Sequence, residues 1–229
     1  MIKLTAQGHT CFTLETDQHS LIFDPWLAEN PEAAISVDEV EVDALLVSHG
    51  HSDHLGDAIE IARRLGRPII APYELCMYCE RNGAEVVPMH LGGGRDLDFG
   101  RVQLTQATHG SAVIHDDFIE YTGPACGFLV TLGENTVYYA GDTGLFGDME
   151  LIGQRADIDV AILPIGDNFT MGPDDAVKAA QMLNPKMVVP MHYSAFEVIQ
   201  QNPEAFSDQL AGLGIDCTVL RPGEQMEFA

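Results

Sequence analysis

Histidine and aspartate are concentrated in the segment SHGHSDH at positions 48–54, where three of the nine histidines of the chain fall within six positions. Imidazole nitrogens and carboxylate oxygens are the usual protein ligands of Zn²⁺ and related divalent ions. His49 and His51 lie two residues apart, so in an extended chain both side chains point the same way and can reach one ion. Asp53 and His54 follow at a turn and can reach a second ion nearby. Burying several imidazoles without partners is costly, so the segment predicts metal binding rather than a structural role.

The segment alone is incomplete, because one metal ion needs about four ligands and two ions need more. A weak internal duplication indicates where the rest lie. LTAQGHTCF, from Leu4, resembles LTQATHG, from Leu104, and each reaches a histidine five residues later. Each half continues through a cysteine-containing apolar strand, a polar turn and a second strand that ends at Asp24 or Asp142.

Three further residues follow apolar strands directly, and we predict that they complete the site: His109, Asp142 and His192. A carboxylate can bridge two cations, whereas a neutral imidazole cannot. The predicted first ion is bound by His49, His51 and His109. The predicted second ion is bound by Asp53, His54 and His192, with Asp142 between the two ions.

The elements that must position these residues occur twice. In the first half, an apolar strand over 42–49 is followed by a helix within 55–66, which Gly66 ends, and by a strand over 68–72. In the second half, the corresponding elements are a strand over 158–166, the helix PDDAVKAAQML and a strand over 186–192. Two halves of this kind predict an α/β fold, a four-layer αββα sandwich of two pseudo-repeated halves, with the ends of corresponding strands at one edge.

Several residues are weaker candidates for contacts with the substrate or with the ligands. His9 is the repeat partner of His109, and could equally be a packed histidine. Asp24 could hydrogen-bond a metal-bound histidine or fix the turn before Pro25. The insertion over 110–123 reads as a long polar loop, a candidate lid or specificity loop. The substrate-contact candidates are His115 and Tyr121 in that loop, Asn168 and Thr170 in DNFTMGP, and Tyr193.

The composition excludes several classes of protein. The formal net charge is −24, with 35 acidic against 11 basic residues, so nucleic acid is a poor partner. No apolar run approaches the roughly 20 residues of a membrane span, and the N-terminus lacks the features of a signal peptide. Five scattered cysteines argue against a disulfide framework. We therefore expect a soluble cytoplasmic protein with no membrane partner, in which Cys76-x-x-Cys79 is structural.

The order H-x-H-x-D-H, a later histidine, a Gly-Asp pair and a final histidine resembles the metallo-β-lactamase superfamily over the full chain. Within it, GHTCF near the N-terminus, IGDNFTMGPDDA (165–176) and VVPMHY (188–193) are most similar to the UPF0173 metal-dependent hydrolases, related to the ascorbate-phosphate lactonase branch. The resemblance implies a single domain over 1–229, the αββα fold and a dinuclear site with the ligands named above. It also hints at a homo-oligomer.

One position favours hydrolysis over oxygen chemistry, because flavodiiron relatives in this superfamily carry Glu where this chain has His51. We expect a metal-dependent hydrolase in which hydroxide bound to two divalent ions attacks a small-molecule lactone, amide or phosphoester. Asp53 would orient the hydroxide and move its proton. Zinc is the expected metal, with manganese, nickel and iron as alternatives. The rival functions are a diiron-type oxidoreductase and a non-catalytic metal-binding regulatory module.

Overall fold

The structure is a computed structural model that describes all residues, Met1–Ala229. The chain divides into two compact units that alternate along the sequence. The first unit comprises residues 1–93, 110–126 and 220–229, and the second comprises residues 94–109 and 127–219. Each unit contains one seven-stranded sheet. The single domain expected over 1–229 stays a prediction.

The strands and helices are short and follow one another closely. The strands are β1 (Ile2–Gly8), β2 (Cys11–Glu15), β3 (Ser20–Phe23), β4 (Ala44–Leu46), β5 (Ile69–Pro72), β6 (Val86–Met89), β7 (Gly94–Leu97), β8 (Gly100–Gln106), β9 (Ala112–Ile114), β10 (Ile119–Tyr121), β11 (Cys126–Leu132), β12 (Asn135–Tyr139), β13 (Val160–Pro164), β14 (Met187–Met191), β15 (Asp216–Cys217) and β16 (Gln225–Phe228). The helices are α1 (Ser52–Leu55), α2 (Ala58–Leu65), α3 (Tyr73–Arg81), α4 (Met149–Arg155), α5 (Pro173–Leu183) and α6 (Pro203–Ala211), and single 3₁₀ turns span Val37–Glu39 and Glu197–Ile199.

The two sheets have the same strand order. In the first unit the order is β16-β1-β2-β3-β4-β5-β6, and in the second it is β7-β8-β11-β12-β13-β14-β15 when read from β7. In each sheet the third and fourth strands pair antiparallel, β2 with β3 in the first unit and β11 with β12 in the second. From the fourth position onward all pairs are parallel. The duplication seen in the sequence is therefore present in the topology of the two units.

Local sequence signals account for the helices that follow the parallel strands. α2 ends where Gly66 adopts a left-handed conformation (φ 63°), as the sequence predicts, because glycine has no Cβ to oppose positive φ. α5 begins with Pro173 and carries Asp174 and Asp175 in its first turn, where carboxylates are stabilised by the helix dipole. The predicted strand over 42–49 is shorter than expected, since β4 ends at Leu46 and leaves His49 in a loop.

Each unit has its own apolar core. The core of the first unit includes Leu45, Val47, Ile61 and Ile69, and that of the second includes Ala161, Leu163, Val188 and Phe206. These residues belong to the strands next to the histidine-bearing loops and to the helices that cover those strands. Packed strands of this kind hold the loop ends firmly. None of the helices combines the length and the apolar character that crossing a lipid bilayer requires.

The insertion over 110–123 is not the long polar loop expected from the sequence. It contains a two-stranded hairpin in the first unit, in which β9 pairs antiparallel with β10. The strand segments Ala-Val-Ile and Ile-Glu-Tyr are rich in β-branched and aromatic residues, which favour extended chain. The acidic turn between the two segments makes the insertion as a whole look polar in the sequence. Ile114, Ile119 and Tyr121 on this hairpin are 70–73% exposed.

Candidate metal centre

Six candidate residues of the first unit lie close together, and we call them the first cluster: His9, Asp24, His49, His51, Asp53 and His54. The loop after β4 brings His49 and His51 together, with 2.9 Å between His49 Nε2 and His51 Nδ1. His51 immediately precedes α1, whose first residues include Asp53 and His54. The tight turn into a short helix thus places all four residues of the segment in one region.

Asp24 lies at the end of β3 and is fully buried beneath the histidines. Its Oδ2 accepts hydrogen bonds from His54 Nδ1 (2.7 Å) and from Ser48 Oγ (2.6 Å), and its Oδ1 accepts from the Ser48 amide (2.7 Å). A carboxylate bound to one imidazole nitrogen fixes the ring orientation and leaves the other nitrogen as the electron-pair donor. Asp24 therefore orients His54 so that Nε2 is available as a ligand.

Asp53 faces two other members of the first cluster, His9 and His54. Its Oδ2 lies 3.3 Å from His9 Nε2 and 3.8 Å from His54 Nε2. The donor atoms offered by these three residues all lie within 4.8 Å of one another, a separation that one metal ion can span. The His9 ring also packs edge-on against Trp26, with 5.2 Å between ring centroids. His9 thus stands among the ligand candidates of the segment.

The second unit holds the second cluster, formed by His109, Asp142 and His192. Asp142 follows β12 and is 2% exposed. Its Oδ2 lies 3.2 Å from His192 Nε2 and 3.6 Å from His109 Nε2. One carboxylate oxygen therefore faces two imidazole nitrogens from different strand ends. The structure brings together all three residues that the sequence predicted from strand-end positions.

Thr143, directly after Asp142, forms hydrogen bonds that connect the turns around the second cluster. Its hydroxyl accepts a hydrogen bond from the Thr108 amide (2.9 Å) and donates to the Gly144 carbonyl (2.7 Å). Its own carbonyl accepts from the Met171 amide (2.8 Å). Thr143 therefore connects the residue before His109 with the turn that follows β13.

Gly166 approaches the backbone of His192 too closely to carry a side chain. A Cβ at Gly166 would overlap the His192 carbonyl oxygen and would lie 3.1 Å from His192 Nδ1. The turn over 167–171 is therefore packed directly behind the ligand candidate. Only glycine permits this approach without displacing the imidazole.

Backbone conformations of positive φ are concentrated at these positions. His9 (57°), Asp24 (39°) and His192 (56°) belong to the clusters, while Asp167 (59°) and Asn168 (47°) form the turn beside His192. The sixth such residue, Asn184, ends α5. Non-glycine residues in this region are costly and are typical of functional sites, where the surrounding structure holds them in place.

The weaker candidates occupy two surface segments. His115 and Tyr121 lie on the β9–β10 hairpin, where the His115 ring stacks on Phe118 (4.3 Å between centroids) and His115 Nε2 is 3.6 Å from Glu120 Oε2. Asn168 and Thr170 lie on the turn after β13, and Tyr193 follows His192 and is half-buried. Their predicted role in substrate contact stays a prediction.

The cysteines have a different environment from that of the ligand candidates. Burial raises the pKa of the Cys76 and Cys79 thiols to about 12 in the core of the first unit. Burial, and then the Asp24 carboxylate, raise the pKa of Cys11 and Cys126 well above the usual range. Thiolates are the nucleophiles and metal ligands among cysteine species, so these protonated thiols supply neither function at neutral pH.

Sequence reasoning missed the hydroxyl residues that hold the ligands. Ser48 contacts Asp24 and also lies 2.9 Å from His49 Nδ1. Its place at the start of the SHGHSDH segment was a usable signal, because a buried hydroxyl beside an imidazole is often its hydrogen-bond partner. Thr143, in the sequence GDTG, had a comparable signal, since it directly follows a predicted ligand.

The donor sets of the two clusters suit divalent metal ions, since each combines imidazole nitrogens with a carboxylate and neither contains an arginine or lysine. A family described as the beta-lactamase superfamily domain matches residues 3–192. UPF0173 metal-dependent hydrolases of Bacillus licheniformis and Bacillus subtilis, the latter named YtkL, are each 50% identical over 229 residues, covering 99% of this chain and 100% of the relative.

A solved structure extends the likeness to three dimensions. Igni18, a metallo hydrolase from the archaeon Ignicoccus hospitalis, aligns with a TM-score of 0.90 at 34% identity, covering 100% of this chain and 99% of that one. The fold class predicted from the sequence is thereby confirmed, as is the assignment to metal-dependent hydrolases. The chain belongs to the metallo-β-lactamase superfamily and, within it, to the UPF0173 metal-dependent hydrolases.

Proposed function

We propose that the two clusters supply one dinuclear centre and that the enzyme hydrolyses a lactone, amide or phosphoester bond in a small molecule. In this proposal His49, His51 and His109 would hold one divalent ion, and Asp53, His54 and His192 would hold the other, with Asp142 between them. The observation that carries the proposal is Asp142 Oδ2, which lies 3.2 Å and 3.6 Å from two histidine nitrogens. A carboxylate oxygen placed in this way is suited to bridge two cations.

Two bound divalent ions would lower the pKa of a water molecule toward neutrality and polarise the oxygen of the scissile bond. The residues of the chain would hold the metal ligands in place and orient the attacking water. Asp24 fixes His54 through the 2.7 Å hydrogen bond to Nδ1. Asp53 is about a quarter exposed at its side chain and has its Oδ2 3.3 Å from His9 Nε2. It can accept a proton from an attacking water and exchange that proton with His9.

The charge of the protein and the residues near the two clusters bear on which substrates fit. The net charge of −24 disfavours nucleic acid and favours a neutral or cationic small molecule, unless the metals compensate its charge. The candidates for substrate contact are the exposed Asn168 and the half-buried Thr170 and Tyr193, together with His115 and Tyr121 on the hairpin. Zinc is the metal we favour, and we expect a cytoplasmic enzyme that forms a homo-oligomer.

The test begins with metal analysis of natively purified protein, followed by a panel of lactones, amides and phosphodiesters. We expect about two divalent ions per chain and turnover of at least one class. Asp53→Asn keeps the side-chain shape and should lower kcat by about 100- to 10,000-fold, the usual contribution of a general base. Stoichiometric iron with O₂-dependent turnover would instead identify a diiron-type oxidoreductase. A fully metallated protein inactive on the whole panel would point to a non-catalytic regulatory module.

A further inference from the structure

Gly50 separates two ligand candidates, His49 and His51, and its backbone is bound by a distant part of the first unit. The Gly50 amide donates a hydrogen bond of 3.1 Å to the hydroxyl of Ser111, 61 residues further along the chain. That hydroxyl lies 2.7 Å from the hydroxyl of Thr122, and either one can be the donor. Ser111 and Thr122 are 3% and 1% exposed. We call this pair the hydroxyl clasp.

The approach of the clasp to Gly50 leaves no room for a side chain. A Cβ at Gly50 would overlap Thr122 Oγ1 and would lie 3.2 Å from the carbonyl carbon of Ala112. The same segment passes the next ligand candidate, since a Cβ at Gly110 would lie 4.0 Å from two ring atoms of His51. The clasp is therefore packed against the backbone that sets the direction of both imidazoles.

The clasp also closes the base of the β9–β10 hairpin. Ser111 and Thr122 flank the two strands, and the Thr122 amide donates to the Ser111 carbonyl at 3.2 Å. The hairpin has a second attachment on its outer side, where Arg81 of α3 donates to both carboxylate oxygens of Glu120 at 2.7 and 2.8 Å. The outer attachment is solvent-exposed, and such pairs contribute little, so the buried clasp is the stronger of the two.

We propose that Ser111 and Thr122 are positioning residues for the metal ligands His49 and His51. By fixing the Gly50 amide, the clasp sets the angle between two imidazoles that are only two residues apart. Groups that hold ligands in this way commonly change metal affinity by about 10- to 100-fold when they are lost. The inference rests on the proposed role of His49 and His51 as metal ligands.

A clasp that only closed the hairpin would also stabilise the fold. Loss of stability in a variant therefore does not distinguish this structural role from the positioning of His49 and His51. The informative measurement is the geometry of the bound ion. Cobalt(II) reports it, because the intensity and position of its visible absorption bands depend on the number and angles of its ligands. The probe is therefore Co²⁺ titrated into the metal-free full-length protein, with the dissociation constant and the absorption spectrum as readouts.

Thr122→Val removes the hydroxyl at nearly constant volume, and Thr122→Ser retains it. We expect Thr122→Val to weaken cobalt binding by about 10- to 100-fold and to alter the visible spectrum, and Thr122→Ser to restore both toward wild type. Ser111→Ala should behave as Thr122→Val does. The matched control is Glu120→Gln, which disrupts the outer attachment of the same hairpin and should leave the cobalt spectrum unchanged.

Hydrogen exchange at the Gly50 amide in the metal-free variants supplies a readout that needs no ion, and Thr122→Val should accelerate it. If Thr122→Val has the affinity and spectrum of the wild type, the positioning role is wrong while the proposed function stands. If Glu120→Gln changes the spectrum as much as Thr122→Val does, the hairpin as a whole is responsible and the clasp is not. A wild-type protein that takes up no cobalt would overturn the proposed function, and the positioning role with it.

Discussion

The two clusters arise at equivalent strand ends, but they use their carboxylates differently. Asp24 follows β3 and Asp142 follows β12, which occupy the same place in the two sheets. Asp24 binds the far side of His54 through Nδ1, whereas Asp142 faces the Nε2 atoms of His192 and His109. One aspartate orients a candidate ligand from behind, and the other faces the Nε2 sides of two candidate ligands. Duplication of a fold therefore duplicates the place of a residue but not its chemical task.

The two clusters also differ in how their histidines are held. In the first cluster a buried hydrogen-bond network of Asp24 and Ser48 fixes the imidazoles. In the second cluster the turns around the histidines are held instead, by the Thr143 hydroxyl and by the close approach of Gly166 to His192. Side-chain networks are sensitive to loss of a polar partner, while packed turns are sensitive to added volume. Loss of a polar partner should therefore damage the first cluster most, and added volume the second.

The largest effect is expected from Asp24→Ala measured in metal-free protein. The substitution leaves the Ser48 amide, the Ser48 hydroxyl and His54 Nδ1 without a buried acceptor. Breaking a buried network of this kind costs about 3–5 kcal/mol. For a chain of this size that lowers the Tm by roughly 6–20 °C, which calorimetry can measure. Asp142→Ala should cost much less in the same metal-free protein, and an equal loss in the two variants would contradict the assigned roles.

Asp142→Ala has its main effect when metal is present. Ligands that bind only the folded state stabilise it, by about 4 kcal/mol when free metal is 1,000 times its Kd. Removing the carboxylate that faces two histidines should lower metal content and abolish most of this stabilisation. Elemental analysis and the Tm with and without a chelator measure both quantities. Unchanged metal content in the variant would remove Asp142 from the ligand set.

Gly166→Ala tests the second cluster by adding volume. A Cβ at this position overlaps the His192 carbonyl oxygen, so the ligand must move. We expect metal affinity to fall by about 10- to 100-fold, because a displaced imidazole loses its coordination geometry. Gly147→Ala is the control for adding a methyl group at a glycine, since no atom lies within 4 Å of its Cβ and its φ, like that of Gly166, is not positive. Equal affinity in Gly166→Ala and wild type would show that the turn yields without moving His192.

Thr143→Val is expected to have a smaller effect on the same cluster. The variant keeps the side-chain volume but loses the hydroxyl that accepts from the Thr108 amide. One lost hydrogen bond changes free energy by about 1 kcal/mol, which corresponds to a several-fold weaker metal affinity. Thr143→Ser retains the hydroxyl and should bind metal as the wild type does. Identical metal titrations for the valine and serine variants would exclude a role for this hydroxyl.

Most of the fold could be predicted because its signals are local. The apolar spacing before Gly66 and the Pro-Asp-Asp start of α5 depend only on neighbouring residues, and both helices form as expected. The β9–β10 hairpin was missed because its strands are three residues long, too short for alternation to stand out against an acidic turn. Its closure depends on Ser111 and Thr122 binding Gly50, a contact between residues far apart in sequence.

The candidate site likewise contains residues that local sequence signals reveal and residues that depend on contacts far apart in sequence. Four members of the first cluster fall within six consecutive positions, 49–54, so residue type and spacing revealed them. His109, Asp142 and His192 required the duplication, because each stands alone at a strand end. Asp24 could be proposed but its partner could not, since the hydrogen bond to His54 spans 30 residues. Supporting residues such as Thr143 bind backbone groups through a side-chain hydroxyl. Only their place beside a predicted ligand, and not their residue type, distinguishes them from ordinary turn residues.

The smallest effect at neutral pH concerns the cysteine-rich core of the first unit, which the core of the second unit does not share. Burial raises the pKa of Cys76 to about 12, so the thiol of the unfolded chain ionises first as pH rises. Its stabilising contribution is complete below the unfolded pKa and declines above it, by about 1.4 kcal/mol per pH unit between roughly pH 9 and 12. Chemical denaturation of wild type and Cys76→Ala should therefore give parallel pH profiles below about pH 8 and a shallower alkaline decline in the variant. Profiles that stay parallel through the alkaline range would mean that Cys76 ionises equally in the folded and unfolded chain, and that the first core is no more sensitive to base than the second.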